Sequence, residues 1–542
     1  MRDTIWKIKE KNPDKSDNEW LTKVLAKNRG LTTSQKLNDF LNPNLEQILA
    51  VVPSQLEKGL KRVVEAIDTR EKMVVYSDYD ADGISATAIL WETLYDLGAN
   101  VLPYVPHRIK EGYGLAIPAI SALAKDGVKL IITVDNGVTA VGQVRHAQSL
   151  GVDVIVTDHH VLPPVLPKPV AMVHTTDLCG AGVAWRFAWE LAKKLKPQYK
   201  EKLLEKLELA ALATIADLVP LVGGNRAIVK MGLEKLTSTK RPGIKALIRA
   251  SHINGAIGTY EIGHIIAPRI NAMGRIEHGL DSLRLLCAKN QQQADELAQL
   301  LTKTNSRRQD LTTKAISHAL TLVKEEHVIG VIANEDWHEG VIGLVASRLV
   351  EAHKKPIIVI AIGENFSKGS ARSIPGFNIV EAIRASSEFL IDAGGHPMAA
   401  GFTIETRHIE AFSEKINNHS RNLITEELLT PLIEIECELD ASDVNKSALK
   451  QSLLFEPYGM ANPVPVFLTR NLTVEDVRTV GMANDHLKLQ VSGLSAIGFN
   501  MGKLSSNIRP GYAVDLVYTI SEDKYSNNGG LQLKLKDLRV KN

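Results

Sequence analysis

Val74–Gly83 reads VVYSDYDADG: a short apolar run ends in three aspartates at alternate positions, Asp78, Asp80 and Asp82. Carboxylates this close raise one another's pKa and cost stability unless cations neutralise them or water solvates them fully. The stretch therefore calls for metal ions, a solvated loop or a helix cap, and alone it leaves these readings open.

The flanking chain narrows the choice. Strand-like runs at Met73–Ser77, Val101–Val105, Leu130–Val134 and Val152–Thr157 alternate with amphipathic periods near 84–98, 116–126 and 139–150. That is the spacing of βαβ units with a parallel sheet. The aspartates follow the first strand, Asp135 in TVDNG follows the third, and Asp158, His159 and His160 in VTDHH follow the fourth. In open α/β sheets ligands bind at the carboxyl ends of strands, so residues distant in sequence converge there. Asp135 before Asn-Gly also reads as a capping turn, and paired histidines before LPPVLPKP as surface residues. Coincidence at three strand ends favours a shared metal site.

A length of 542 residues suggests roughly three or four domains. Net charge is +2 with 23% charged residues, so an anionic partner must be met by a local groove and not by a global positive field. The three cysteines, Cys179, Cys287 and Cys437, are widely spaced, which argues against a disulfide framework or zinc site and suits a reducing compartment. No apolar run is long enough for a bilayer, and MRDTIWKIKEKNPDKSDNEW lacks a signal-peptide core, so a cytoplasmic protein is expected. Residues 1–50 read as an N-terminal extension packed on the first domain.

SDYDADG, TVDNG and VTDHH, in this order and spacing, resemble the first three motifs of the DHH phosphoesterase superfamily. IADLVPL (215–221), PRINAMGR (268–275), GSARS (369–373), DAGGHPMAAG (392–401) and EPYGMANPVPVF (456–467) resemble its RecJ exonuclease branch, from about residue 40 to the end. The resemblance implies a cytoplasmic bacterial nuclease that degrades single-stranded DNA from its 5′ end with Mn²⁺ or Mg²⁺, in recombination and repair. Phosphodiester hydrolysis needs a nucleophilic hydroxide and charge neutralisation at both attacking and leaving oxygens, which two cations supply. The expected ligands are Asp80, Asp82, Asp135, His159 and Asp217. The resemblance makes Asp135 the bridge between ions. Asp217 lies in the apolar stretch ALATIADLVPL, where a lone carboxylate is costly to bury, although it also suits a helix end before Pro220. Asp78 and His160 either bind directly or orient a ligand and the water. A nitrogen ligand among carboxylates tilts the choice toward Mn²⁺.

Residues 180–330 read as helical, ending in a connector from about Gln291 to Glu326 with no internal Gly or Pro. From 328 to 425 strand-like Val328–Ala333 and Pro356–Ile362 alternate with helices near 339–352 and 378–390. This second α/β unit carries Ser370, Arg372, Gly394, Gly395 and His396. By resemblance it is the DHHA1-type domain that closes over substrate. Arg108 in VPHRIKEGYG follows the second strand, and with Ser370 and Arg372 it suits a terminal 5′-phosphate, unless both arginines form surface ion pairs. Arg275 and His396 complete the expected substrate-binding set. From about 430, strand-like His486–Val491, Ala513–Ile520 and Leu531–Lys536, with NNGG as a hairpin signal, fit an OB-type barrel that tracks a single strand. Its aromatics, Phe455, Tyr458, Phe467, Phe499 and Tyr518, read equally well as core.

The expected fold is therefore α/β: an N-terminal extension (1–50), a parallel-sheet DHH domain (51–200), a helical segment with the connector (201–327), a DHHA1-type domain (328–428) and an OB-type barrel (429–542). Single-stranded DNA is the expected partner, with a single-strand-binding protein and a helicase beside it, and the chain is expected to be a monomer. The rival reading is a DHH-family phosphodiesterase acting on short oligonucleotides or small nucleotides, against which the C-terminal barrel argues. A non-catalytic DNA scaffold is disfavoured because every expected ligand position carries Asp or His.

Overall fold

Continuous apolar runs become strands buried on both faces, and 3.6-residue periods become the helices that cover them. The structure is a computed structural model that describes residues 4–523 and 530–541. It begins with strand β1 (Ile5–Glu10) and then alternates β2 (Lys72–Tyr76), β3 (Val101–Tyr104), β4 (Val128–Val134), β5 (Asp153–Asp158) and β6 (Ala171–His174) with helices. Strands β2 to β6 form a parallel sheet in the order β3-β2-β4-β5-β6. The order reverses between β2 and β4, which makes a crevice at their carboxyl ends. Strand β6 escaped the sequence reading because Val170–His174 is short and follows Pro167 and Pro169.

A second sheet is built from β7 (Gly330–Asn334), β8 (Ile357–Ala361), β9 (Phe366–Arg372), β10 (Leu390–His396) and β11 (Ala399–Glu405), in the order β10-β11-β9-β8-β7. GSARS and GGH thus lie on paired strands and not in loops. The connector helix is Gln291–Ala319, shorter than the expected run to Glu326. It stops where Thr321 turns back, its hydroxyl and its N–H both donating to the His318 carbonyl, while the Leu322 N–H closes on Ala319.

The chain divides into two compact units, Leu49–Val219 with Ile228–Pro431, which holds both sheets above, and Met1–Ile48 with Pro220–Ala227 and Leu432–Asn542. In the latter, β13 (Phe467–Val480), β14 (His486–Val491), β15 (Leu494–Gly498), β17 (Leu531–Lys541) and β16 (Ala513–Glu522) close into a five-stranded barrel through the β13–β16 pairing. The expected NNGG turn falls mostly on 527–529, outside the described residues. Phe455, Phe467 and Tyr518 are core, Tyr458 is partly buried, and Phe499 is exposed against His486.

Residues 1–48 belong to the same compact unit as the barrel. Strand β1 pairs in parallel with β12 (Leu432–Glu438), itself joined to β13. Trp6 and Ile8 pack around Ile435, Leu468 and Val517, and Leu21, Leu25 and Phe40 join the barrel core. Arg226 draws 220–227 into the same unit: its guanidinium donates to the carbonyls of Phe40, Phe455, Glu456 and Pro457.

In the larger unit Glu92, on the helix Ala81–Asp96, receives a two-pronged bond from Arg241 (2.7 and 3.1 Å) and an ion pair from Lys206 at 3.1 Å. Burial alone would raise the Glu92 carboxyl, but Arg241 and Lys206 bring it down to about 2. Lys206 itself is lowered, because burial outweighs Glu92 there, and Arg241 is the larger of the two influences on Glu92. A depressed carboxyl contributes stability above its unfolded value near 4.5 and loses it as pH falls toward 2. Glu92→Gln is expected to cost about 3 kcal/mol at neutral pH and progressively less below pH 4, as read by denaturant unfolding across that range.

Candidate metal centre and phosphate pocket

Asp78 and Asp80 leave β2 at the crevice. Asp80 caps the helix Ala81–Asp96 by accepting the N–H groups of Asp82 (2.9 Å) and Gly83 (3.0 Å). Asp82, 1% exposed, reaches a second helix, Gly180–Leu195, and accepts the N–H groups of Gly180 (2.7 Å) and Ala181 (2.6 Å). A helix's first turn offers unpaired N–H groups and a positive end, and both stabilise this carboxylate.

Asp135 leaves β4 in the left-handed region, φ +63°. Its N–H bonds the Thr157 carbonyl at 3.0 Å, and its own carbonyl accepts the Tyr113 hydroxyl at 3.2 Å. Room for its side chain depends on Gly180, where a Cβ would stand 2.6 Å from the Asp135 carboxylate.

His159 Nε2 lies 3.1 Å from Asp135 Oδ1, 3.5 Å from Asp217 Oδ2 and 3.7 Å from Asp82 Oδ2. Asp217 ends the helix Leu207–Ala216 through its backbone N–H, which leaves its carboxylate free to face His159. The helix-end role weighed for Asp217 is present, and it leaves the carboxylate available to a cation. Asp135 Oδ1 and His159 Nε2 are both buried without a hydrogen bond, and buried polar atoms rarely stay unsatisfied. Asp78, Asp80 and Asp135 form one set with ligand atoms within 4.8 Å of one another; Asp82, His159 and Asp217 form a second, and Asp135, His159 and His160 a third. Hard carboxylates with one imidazole suit Mn²⁺ or Mg²⁺, and the residues fit such ions.

Protonation agrees with that fit. Burial, then Asp80, pushes Asp82 up to about 7, and burial, then Asp82, pushes Asp217 up to about 8. Asp78 and Asp135 rise well above the carboxylate range, chiefly by burial. His159 falls to about 4 through burial and the neighbouring His160, so its nitrogen stays neutral. His160 goes the other way. Burial alone would lower it, but Asp158, whose Oδ1 lies 2.8 Å from its Nδ1, carries it up to about 9. Asp158 is fully buried and also accepts the N–H groups of Val138, His159 and His160. Tyr113 was missing from the expected site, and Asp158 was named there only as a strand-end residue with no role of its own. The signal for Asp158 was present, a charged residue ending an apolar strand, whereas nothing marked Tyr113.

Arginines face the acids. Arg108 lies over the Tyr79 ring (5.0 Å). Arg275 donates to the Gly340 carbonyl at 3.3 Å. Arg372 bonds Ser370 Oγ (3.3 Å) and the Ala371 carbonyl (2.8 Å), and a Cβ on Gly343, in the first turn of the helix Ile342–His353, would stand 3.0 Å from Ser370 Oγ. Arg108 thus shares its surroundings with Arg275 and Arg372, both held below the usual arginine value by burial first and by Arg108 second. Among the described residues none of the three forms an ion pair. His396, exposed at the end of β10, stacks at 6.1 Å on His160.

Comparison with known proteins matches the DHH family N-terminal domain to residues 72–215, the DHHA1 domain to 309–421 and the RecJ OB domain to 435–537. The single-stranded-DNA-specific exonuclease RecJ of Bacillus subtilis is 36% identical, over 99% of this chain and 71% of its own. The chain belongs to the RecJ family. Crystal structures of Thermus thermophilus RecJ match this RecJ family member as well. The Mn²⁺ complex gives a TM-score of 0.86 at 30% identity, covering 99% of this chain and 80% of that one. The Mg²⁺ complex gives 0.80 at 29% identity, covering 99% and 78%.

The aspartates of β2 and β4 and the histidines after β5 gather at the carboxyl ends of the parallel strands, Asp217 joins them from the end of the helix Leu207–Ala216, and Ser370, Arg372 and His396 lie on the second sheet. Gly180→Ala is expected to displace the Asp135 carboxylate and to weaken Mn²⁺ binding roughly 10–100-fold, measured by calorimetric titration, with the folded state retained.

Proposed function

We propose that this RecJ family member is a divalent-cation-dependent exonuclease that removes nucleotides from the 5′ end of single-stranded DNA, in recombination and repair. The observation that carries the reading is the juxtaposition of ligand sets sharing Asp135 and His159 with Arg108 and with Ser370 and Arg372 at the first turn of the helix Ile342–His353, none of these arginines in an ion pair among the described residues. Asp80, Asp82, Asp135, His159 and Asp217 would hold two cations. Bound there, such ions supply Lewis acidity and a hydroxide at neutral pH.

The chain's own groups do the rest. His160, kept protonated and oriented by Asp158, places a positive N–H donor beside the reacting phosphate, and Asp78 braces the turn that carries Asp80 through its bond to the Tyr79 N–H. Arg108, Arg372 and Ser370 bind the terminal 5′-phosphate, where the fork of arginine and the helix end both favour an anion. Arg275 and His396 flank the strand. The second sheet roofs the crevice, so a single strand enters and a blunt duplex does not. The barrel supplies a further single-strand-binding surface. A cytoplasmic setting, a monomeric chain, and a helicase and single-strand-binding protein that deliver the substrate belong to the same reading. Among the described residues, no helix is long and apolar enough to cross a membrane.

The test is hydrolysis of end-labelled single-stranded and blunt duplex DNA with Mn²⁺ or with chelator. Asp135→Ala is expected to abolish hydrolysis while the chain stays folded. Arg372→Ala is expected to lower kcat/KM roughly 10–150-fold on 5′-phosphorylated strands and far less on 5′-hydroxyl strands, as the loss of a charged hydrogen bond requires. Equal loss on both would refute end recognition by this arginine, and preference for short oligonucleotides over long strands would favour the small-substrate phosphodiesterase instead.

A further inference from the structure

The helix Ala81–Asp96 begins at the acidic crevice and ends at a second cavity of about 690 Å³. Glu92, on its wall, stands ten residues beyond Asp82, about 15 Å along an α-helix. The cavity is therefore separate from the metal centre, and nothing in the nuclease reading uses it.

Its charges nearly cancel, in pairs. Glu92 and Glu208 are met by Arg241 and Lys206 at the floor, and Lys202–Asp96 (3.1 Å) and Lys240–Glu205 (3.5 Å) pair at the rim. Two exposed lining lysines, Lys235 and Lys289, have no carboxylate partner among the described residues. Trp91 and Tyr95 line the same cavity, rings 6.1 Å apart, with Tyr95 56% exposed and the Lys289 ammonium 5.6 Å from its centroid. Unpaired cations next to an open aromatic face select an anion with a flat ring, and the volume lies within the range of small-ligand sites.

We propose that this cavity binds a nucleoside 5′-monophosphate, with its base against Tyr95 and Trp91 and its phosphate on Lys235 and Lys289. The product class of the nuclease reaction has this chemistry, but the site stands or falls independently of that activity.

Calorimetric titration of the full chain in Mn²⁺ buffer with deoxyadenosine 5′-monophosphate tests it. Asp135→Ala, which silences the metal centre, should retain one saturable binding event. In that background Lys235→Ala with Lys289→Ala, and separately Tyr95→Ala, should each weaken binding at least tenfold. Inorganic phosphate and deoxyadenosine should each bind at least tenfold more weakly than the nucleotide. Loss of the event in Asp135→Ala, or its persistence at full affinity in the lysine double variant, would overturn the proposal. Equal affinity for inorganic phosphate would also overturn it, by reducing the cavity to an anion site.

Discussion

Asp78, Asp80, Asp82, Asp135 and Asp217 converge on one sheet edge, and their mutual repulsion is the constraint on which the larger unit depends. Two charges 4 Å apart cost about 4 kcal/mol at an effective dielectric constant near 20, so the cluster must be held by something stronger than side-chain packing. Backbone N–H groups do most of that holding: Tyr79 for Asp78, Asp82 and Gly83 for Asp80, Gly180 and Ala181 for Asp82. Asp135 has no such donor at Oδ1 and sits at φ +63°. Its turn survives because neighbouring strands over-determine it: Asn136 donates to Tyr76 and Val134, Thr133 Oγ1 donates to the Asn136 carbonyl, and Gly137 takes φ +119°. These bonds hold the Asp135 carboxylate in the cluster, 3.1 Å from His159 Nε2 and with no backbone donor at its Oδ1.

Much of this was legible in the sequence because parallel strands buried on both faces are continuous apolar runs, and their ends are where polarity returns. VVY before SDYDADG, ITV before DNG and IVT before DHH announce both the strand and the site in one string. What escaped had no local signal. Strands β9 to β11 carry small and polar residues such as Gly369, Ser370, Gly394 and Gly395, whose strand state comes from cross-strand pairing and not from propensity. The partner of β1 lies more than 400 residues away in sequence, in β12, a register no periodicity can show. Arg226 reads as an ordinary surface arginine in GGNRAIV, yet it is 1% exposed, stacks at 3.6 Å on Phe40 and serves four carbonyls. A guanidinium has five donors and can satisfy a junction of irregular backbone that no apolar side chain could.

The crevice holds two unresolved charge groups of opposite sign that do not neutralise each other. Burial raises Asp78 and lowers Arg275, and the opposing pull of Arg108 on the one and Asp80 on the other only tempers these shifts, so the groups feel one another without forming ion pairs. Each is held back by bonds of its own: Arg372 to Ser370 and the Ala371 carbonyl, Arg275 to the Gly340 carbonyl, Asp82 to the amides of a helix. Direct collapse into salt bridges would satisfy the charges and leave no site. With a net charge of only +2, the chain has no general positive field to draw in a polyanion, so attraction has to be concentrated where the arginines stay unpaired. In the proposed reading a phosphodiester between the two groups would satisfy the arginines, cations on the aspartates would remove the repulsion that would otherwise keep it away, and selectivity for a phosphate ester over other anions would follow from requiring both charge groups at once.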